Sequence, residues 1–281
     1  MDEQTKLKLA ICAVVLAAHI KKWLLRDLAK YPLCDFFLRR CVESMSRQEI
    51  GDDLAEDPDL SLLSHFGKPD EMTRLEEFFA RTMRTFRFSR EGLKAAAKTH
   101  FNFDVYDLEG FESVRGVFRV ANALSGRGFT EFVLLGGTGL ADLKATKNGQ
   151  RWYIEVKTLV LQTKAHKFKT DEGIIVLPVD KFQPASNRID DYVESVSRQV
   201  VGNDIEKARQ QLIKTVEKQG EGKKMIALVV NLFAAGFFLD AENMDTVYKR
   251  LRGESNGWEK DYLNDVDGLA FLTDEIRLYP L

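Results

Sequence analysis

A carboxylate and an amine, Glu155 and Lys157, interrupt a short alternating segment of the sequence, RWYIEVKT, at residues 151–158. Side chains two positions apart in a β-strand point to the same face, so Glu155 and Lys157 should emerge together while Trp152 and Val156 take the other face. An edge strand with one solvated face alternates in the same way. The segment by itself therefore leaves open whether the charged pair is structural or chemical.

A third ionisable residue, Asp142, lies in the preceding segment, LADLKAT, which is joined to the first by KNGQ. An Asn-Gly step between two alternating runs predicts a β-hairpin, so Asp142 should lie on the strand that pairs with the strand of Glu155. Two carboxylates suit Mg²⁺, which prefers oxygen ligands and is typically held by one or two carboxylates plus a substrate phosphate. With Lys157 nearby to orient water or stabilise negative charge, this set matches the needs of phosphodiester hydrolysis.

The elements around these residues alternate between helix and strand from about residue 108 onwards, which predicts an α/β domain. Apolar spacing predicts a helix that ends near two glycines, Gly126 and Gly128. Further along the chain, the apolar run MIALVVNLF predicts a buried strand that is reached by a helical crossover. The predicted elements are a helix at 111–124, a strand at 129–135, the loop GGTG at 136–139, a helical zone at 187–219 and a strand at 225–233.

The chain before this domain has helical periodicity, which predicts a helical region at residues 1–105 followed by the second domain at 106–281. Its apolar run LAICAVVLAAHI is interrupted by His19 and followed by lysines, and it is shorter than the roughly 20 residues that span a membrane. We interpret it as a core helix and expect no membrane association. The role of the region is open between substrate binding, homodimerisation and contact with a protein partner.

Composition narrows the class of protein further. The chain has 281 residues, of which 44% are hydrophobic and 30% charged, as in ordinary globular proteins, and its net charge of −2 excludes a protein that is basic throughout. The cysteines, Cys12, Cys34 and Cys41, are odd in number and lack close spacing, so they predict neither a zinc cluster nor a disulfide framework. A reducing cytoplasm fits this usage.

Basic residues are concentrated in two stretches. Residues 81–100 hold six basic residues against one acidic residue, and on a single helix their three-residue repeat would form a stripe that winds around the axis. Residues 144–169 hold seven against one. A solvated helix face explains the first stretch as readily as phosphate binding does, whereas the second would supply phosphate affinity beside the carboxylates. The candidate nucleic-acid contacts are Arg84, Arg87, Lys144, Lys164, Lys167 and Lys169.

The order of these elements resembles the PD-(D/E)xK, or restriction-endonuclease-like, nuclease superfamily, and is most similar to its Mrr-like and archaeal Holliday-junction-resolvase branches. Residues 109–235 carry the resemblance. Its visible parts are GFESVRGVFRVANALSGRGF, GGTGLADLKATKNGQRWYIEVKT and DIEKARQQL. Ala141 takes the proline position of the motif, a substitution common in this superfamily.

The resemblance implies a restriction-endonuclease-like core, which is a mixed central sheet flanked by helices. It also implies a metal-dependent nuclease that acts on nucleic acid, with DNA favoured over RNA. Such a nuclease would serve in restriction, repair or mobile-element defence. It implies Mg²⁺ or Mn²⁺ as the cofactor and Lys207 as a phosphate contact. An amphipathic helix with ordinary polar positions explains Lys207 and Gln211 equally well. A catalytically silent nuclease-like module for binding or assembly is the alternative. The implied catalytic residues are Glu112, Asp142, Glu155, Lys157 and Gln211, of which Glu112, Asp142 and Glu155 would bind the metal.

Overall fold

The computed structural model of the chain divides into two compact units, Met1–Asn122 and Ala123–Leu281. The boundary expected from the sequence, between residues 105 and 106, precedes a helix at Leu108–Ser125, whereas this division falls inside that helix. The structure describes residues 3–47, 49–50, 68–105, 107–137, 139–159, 166–170, 173–177, 205–230, 241–256, 259–272 and 276–280.

The described part of the first unit is helical, as its periodicity predicts. The helices are α1 (Glu3–Leu28), α2 (Pro32–Ser44), α3 (Pro69–Phe86), α4 (Arg90–Ala97) and most of α5 (Leu108–Ser125). The expectation of a core helix for LAICAVVLAAHI holds for one face of α1 only. Ala17 and Leu24 are buried, but Val15 is 74% exposed and Ile11 56% exposed. None of the described helices combines the length and apolar character that crossing a bilayer requires.

A carboxylate from α3 closes the start of α2. Leu33 N–H donates to both carboxylate oxygens of Glu76, at 2.9 and 3.0 Å, and Cys34 N–H donates to one of them at 2.9 Å. The first N–H groups of a helix have no partner within the helix, and a negative charge there also interacts favourably with the helix dipole. Glu76 therefore joins α2 to α3 through the backbone of α2.

The basic residues 81–98 do not lie on one continuous helix, which corrects the stripe expected from the sequence. Helix α3 is terminated by Arg87 in the left-handed conformation (φ 54°), and α4 begins after Ser89, whose side chain accepts a hydrogen bond from Gly92 N–H. The Lys94 ammonium makes a contact within the first unit, because it donates a hydrogen bond to the Phe36 carbonyl at 3.2 Å. Arg84 and Arg87 are exposed and remain predicted nucleic-acid contacts.

The second unit contains a six-stranded mixed sheet, which confirms the α/β class. The strands are β1 (Thr130–Leu134), β2 (Leu143–Lys147), β3 (Gln150–Leu159), β4 (His166–Thr170), β5 (Gly173–Leu177), β6 (Lys223–Val230), β7 (Gly268–Leu272) and β8 (Ile276–Pro280). The large sheet has the order β1-β2-β3-β6-β7-β8, and β4 and β5 form a second, two-stranded sheet. Strands β3, β6 and β7 are parallel, and the other pairings are antiparallel.

The predicted hairpin between β2 and β3 is confirmed. Lys147 pairs with Gln150, so Asn148 and Gly149 form a two-residue turn, and their φ angles of 51° and 73° are both positive. A type I′ turn requires this conformation at both central positions, and its twist matches that of the flanking strands. The Asn-Gly step thereby fixes the register that brings residues of β2 opposite residues of β3.

Two further helices, α6 (Glu206–Gln219) and α7 (Ala241–Leu251), pack on one face of this sheet. Leu212 of α6 and Val247 of α7 share a buried cluster with Tyr153, Ile226 and Leu269 of three adjacent strands. The predicted crossover into a parallel strand is thus observed for α6 and β6. The rest of the predicted helical zone, 187–204, lies outside the described residues, as do the end of the predicted strand, 231–233, and the acidic segment GDDLAEDPD.

Candidate functional site

Asp142 and Glu155 lie side by side on one face of the sheet. The sequence predicts Asp142 on the strand that pairs with β3, but in the structure it lies immediately before β2, which begins at Leu143. Leu143 pairs with Ile154, and continuing this register by one residue places Asp142 opposite Glu155. Directly opposed residues of antiparallel strands point to the same face. The Asp142 carboxylate also accepts a hydrogen bond from Val156 N–H at 2.8 Å, which holds the side chain against β3.

Glu155 is not on an edge strand, so that interpretation of its segment is wrong. Strand β3 lies between β2 and β6, and Glu155 is only 1% exposed, on the same face as Tyr153 and therefore on the face covered by α6. Within the described part of the chain, its Oε2 atom is buried and has no hydrogen-bond partner. A buried carboxylate oxygen without a partner is costly, and native proteins rarely retain one without a reason.

The charge of Glu155 is unfavourable in this environment. Its pKa is raised to about 8, first by burial and then by the nearby charge of Asp142, while the Lys157 ammonium and, to a smaller extent, the backbone N–H of Asp142 act in the opposite direction. A carboxyl group with such a pKa keeps its proton at neutral pH until a cation replaces that proton. The site therefore favours either a proton or a cation at Glu155.

Lys157 joins the acidic pair to α6. Its ammonium donates to Glu155 Oε1 at 2.7 Å and to Gln211 Oε1 at 2.9 Å, and the lysine side chain is 19% exposed. The Gln211 amide nitrogen in turn donates to the Leu140 carbonyl at 3.3 Å. The structure thus brings together four of the five predicted catalytic residues, Asp142, Glu155, Lys157 and Gln211.

Thr215, one turn after Gln211, is a further part of this arrangement that the sequence reasoning missed. It is fully buried, and its Oγ1 accepts a hydrogen bond from Ala141 N–H at 2.7 Å. The same hydroxyl donates to the Gln211 carbonyl at 2.6 Å. Only its spacing of four residues from Gln211 marks it in the sequence, because that spacing places both on one helix face.

Glu112, the fifth predicted catalytic residue, belongs to the first unit. There its carboxylate pairs with the Arg115 guanidinium at 2.9 Å, one helical turn away, and both side chains are largely buried. Glu112 stays a predicted metal ligand.

The predicted phosphate contacts of the second unit are distributed over several elements. Lys144 lies on β2 and is half-buried, Lys207 is exposed on α6, and Lys167 and Lys169 belong to β4. Lys164 lies outside the described residues. All remain predictions of nucleic-acid contact.

The residues present fit a hard divalent cation. Asp142 and Glu155 offer only oxygen donors, and the unpartnered Oε2 of Glu155 is an acceptor that a cation would satisfy. Among the described residues, no group of three or more His, Cys, Asp or Glu side chains could hold a metal ion. Magnesium sites often use one or two carboxylates, with water and substrate phosphate as the other ligands.

Comparison of the chain with protein-family models, curated proteins and solved structures finds no match.

Proposed function

We propose that the chain is a divalent-metal-dependent nuclease that hydrolyses phosphodiester bonds in DNA. The observation that carries the proposal is the position of Asp142 opposite Glu155 on one face of the sheet. Lys157 donates to Glu155 Oε1, whereas Glu155 Oε2 is buried and has no hydrogen-bond partner among the residues that the structure describes. The preference for DNA over RNA rests on the resemblance to restriction-endonuclease-like enzymes. A role in restriction, repair or mobile-element defence and a cytoplasmic location belong to the same proposal.

The finer fold assignment, a restriction-endonuclease-like core, is also part of this proposal. It is supported by the antiparallel run β1-β2-β3, the helix α6 packed on β3, and the parallel strand β6 that follows it. In this arrangement Glu155 lies on β3, Asp142 immediately precedes β2, and Gln211 lies on the crossover helix α6.

The roles of the side chains follow from their positions. Asp142 and Glu155 would hold Mg²⁺ or Mn²⁺, which neutralises phosphate charge and lowers the pKa of a bound water. Lys157 places a positive charge beside Glu155, where it can stabilise the negative charge that develops on the phosphate. Gln211 accepts a hydrogen bond from Lys157 and is itself held by the Leu140 carbonyl, so it fixes the direction of the ammonium.

The proposal is tested by nicking of supercoiled plasmid DNA with Mg²⁺, with Mn²⁺ and with EDTA, by wild type and Asp142→Asn. Asn has nearly the shape of Asp but lacks its charge, so we expect metal-dependent nicking that falls by two orders of magnitude or more, roughly, in the variant. Loss of one metal ligand, rather than loss of the fold, is then the cause.

A matched control exists in the same sheet. Asp267 precedes β7, two strands from β3, and its carboxylate accepts a hydrogen bond from Lys224 N–H at 2.8 Å, as Asp142 does from Val156 N–H. Asp267→Asn removes a charge from the same kind of contact and should nick at the wild-type rate. A wild-type protein that nicks neither duplex nor single-stranded DNA with either metal would instead favour the catalytically silent module.

A further inference from the structure

The segment immediately before Asp142 belongs to no helix or strand, yet it must hold that carboxylate in place. Residues 140–142 lie between β1 and β2, outside both strands. Their backbone is held at four points. Leu140 N–H donates to the Gly137 carbonyl at 3.3 Å, and Gln211 donates to the Leu140 carbonyl. Ala141 N–H donates to Thr215, and Leu135 N–H donates to the Asp142 carbonyl at 2.9 Å.

The Thr215 hydroxyl serves two backbone groups at once, one on the Asp142 segment and one on α6. A hydroxyl has one proton and two acceptor lone pairs, and here the proton is directed to the Gln211 carbonyl while a lone pair receives Ala141 N–H. Thr215 and Ala141 are both fully buried, so water cannot take over either bond. A buried N–H group that loses its acceptor carries a full desolvation penalty, which a small backbone shift would relieve.

We propose that Thr215 is a positioning residue, whose hydroxyl sets the backbone of Ala141 and thereby the direction of the Asp142 carboxylate. The inference rests on the proposed function, because the consequence that matters is how well Asp142 binds a divalent cation. Thr215 touches neither Asp142 nor Glu155 through a hydrogen bond in the described structure, and its effect passes through one peptide group.

Three substitutions separate positioning from packing. Thr215→Val keeps the branched shape and removes the hydroxyl, Thr215→Ser keeps the hydroxyl and removes a methyl group, and Thr215→Ala removes both in case valine prevents folding. The matched control is Thr82→Val in the first unit. Thr82 is also fully buried, donates to the carbonyl four residues earlier at 2.8 Å and accepts a bond from the Asn122 amide at 2.9 Å.

The first measurement needs no metal. Amide hydrogen exchange, followed by NMR on the full chain, reports the Ala141 bond directly, and the Val156 amide reports whether the Asp142 carboxylate is still in place. In Thr215→Val we expect both amides to exchange about tenfold faster, because each loses a hydrogen bond. Thr215→Ser should keep the wild-type rates, and Thr82→Val should leave both amides unchanged.

The second measurement is Mn²⁺ binding by calorimetry, with plasmid nicking alongside. Loss of a group that orients a ligand typically weakens metal binding by 10- to 100-fold, so Thr215→Val should raise the dissociation constant for Mn²⁺ by about tenfold or more. Thr215→Ser should restore binding, whereas Thr82→Val should bind as wild type does.

The outcomes distinguish this inference from the proposed function. If wild type neither binds Mn²⁺ nor nicks DNA, the nuclease proposal fails, and the Val156 amide alone decides whether Thr215 positions Asp142. If wild type binds and nicks but Thr215→Val and Thr215→Ala match it in Val156 exchange and in Mn²⁺ affinity, the positioning role is overturned while the nuclease proposal stands.

Discussion

The raised pKa of Glu155 makes the free energy of unfolding depend on pH in a way that one substitution removes. Glu155→Gln keeps the size of the side chain and an acceptor for Lys157, but it cannot ionise. In the absence of divalent metal, the difference in unfolding free energy between wild type and Glu155→Gln therefore isolates the titration of this carboxyl group.

The sign and size of the effect follow from two pKa values. Glu155 has a pKa of about 8 in the folded chain against the ordinary value of 4.5, so the folded state keeps a proton that the unfolded state releases between these values. The stabilisation from that proton is fully present below pH 4.5 and is lost as pH rises through 8. Each pH unit in this window corresponds to about 1.4 kcal/mol. From pH 5 to pH 7.5 the wild type should lose about 3 kcal/mol relative to Glu155→Gln.

Urea unfolding at half-unit steps from pH 5 to pH 8.5, with EDTA present, measures this difference. Repeating the series with Mn²⁺ should stabilise the wild type more at pH 8 than at pH 6, because metal binding must displace the proton, and Glu155→Gln should respond little. If the difference in unfolding free energy between wild type and Glu155→Gln is constant across this pH range, Glu155 has an ordinary pKa and the argument from its burial is wrong.

Two predictions concern the framework around the site. Glu76→Ala leaves two N–H groups of the first turn of α2 without their acceptor and should lower the free energy of unfolding by about 1–3 kcal/mol, measured by urea, while the exposed neighbour Glu77→Ala should have little effect. Gly149→Ala should destabilise by about 1 kcal/mol, because φ is 73° there although a Cβ would meet no neighbour. Gly92→Ala in α4, which has ordinary helical geometry and space for a methyl group, should be neutral or stabilising; destabilisation by both glycine variants alike would contradict the turn argument.

The parts of the site that the sequence predicted depend on local rules. Alternation places Glu155 and Lys157 on one face, and the Asn148–Gly149 turn fixes the register that brings Asp142 opposite Glu155. These features require only neighbours along one hairpin. For the same reason, the sequence could exclude neither an edge strand nor a central one until β6 was seen to pair with β3.

Other features could not be predicted because they join distant residues. Thr215 meets Ala141 across 74 positions of the sequence, and Gln211 meets Lys157 across 54. No periodicity encodes which face of α6 contacts which strand. The break between α3 and α4, in contrast, is marked in the local sequence. Ser89 is a favoured N-cap residue, and its side chain accepts a hydrogen bond from Gly92 N–H.

Carboxylates near strand ends are not by themselves evidence of chemistry, and this sheet contains the comparison. Asp267 accepts a backbone hydrogen bond just as Asp142 does, and that bond fully explains its presence. Asp142 differs because a second carboxylate, Glu155, stands next to it. Burial of Glu155 lowers the stability of the fold, because Lys157 pairs with Oε1 whereas Oε2 has no hydrogen-bond partner among the described residues. A glutamine or methionine at this position would avoid much of that cost. A cation shared by the two acidic residues would remove the repulsion and would give the Glu155 oxygen a partner, so the proposed cation site would explain the pair where folding alone does not.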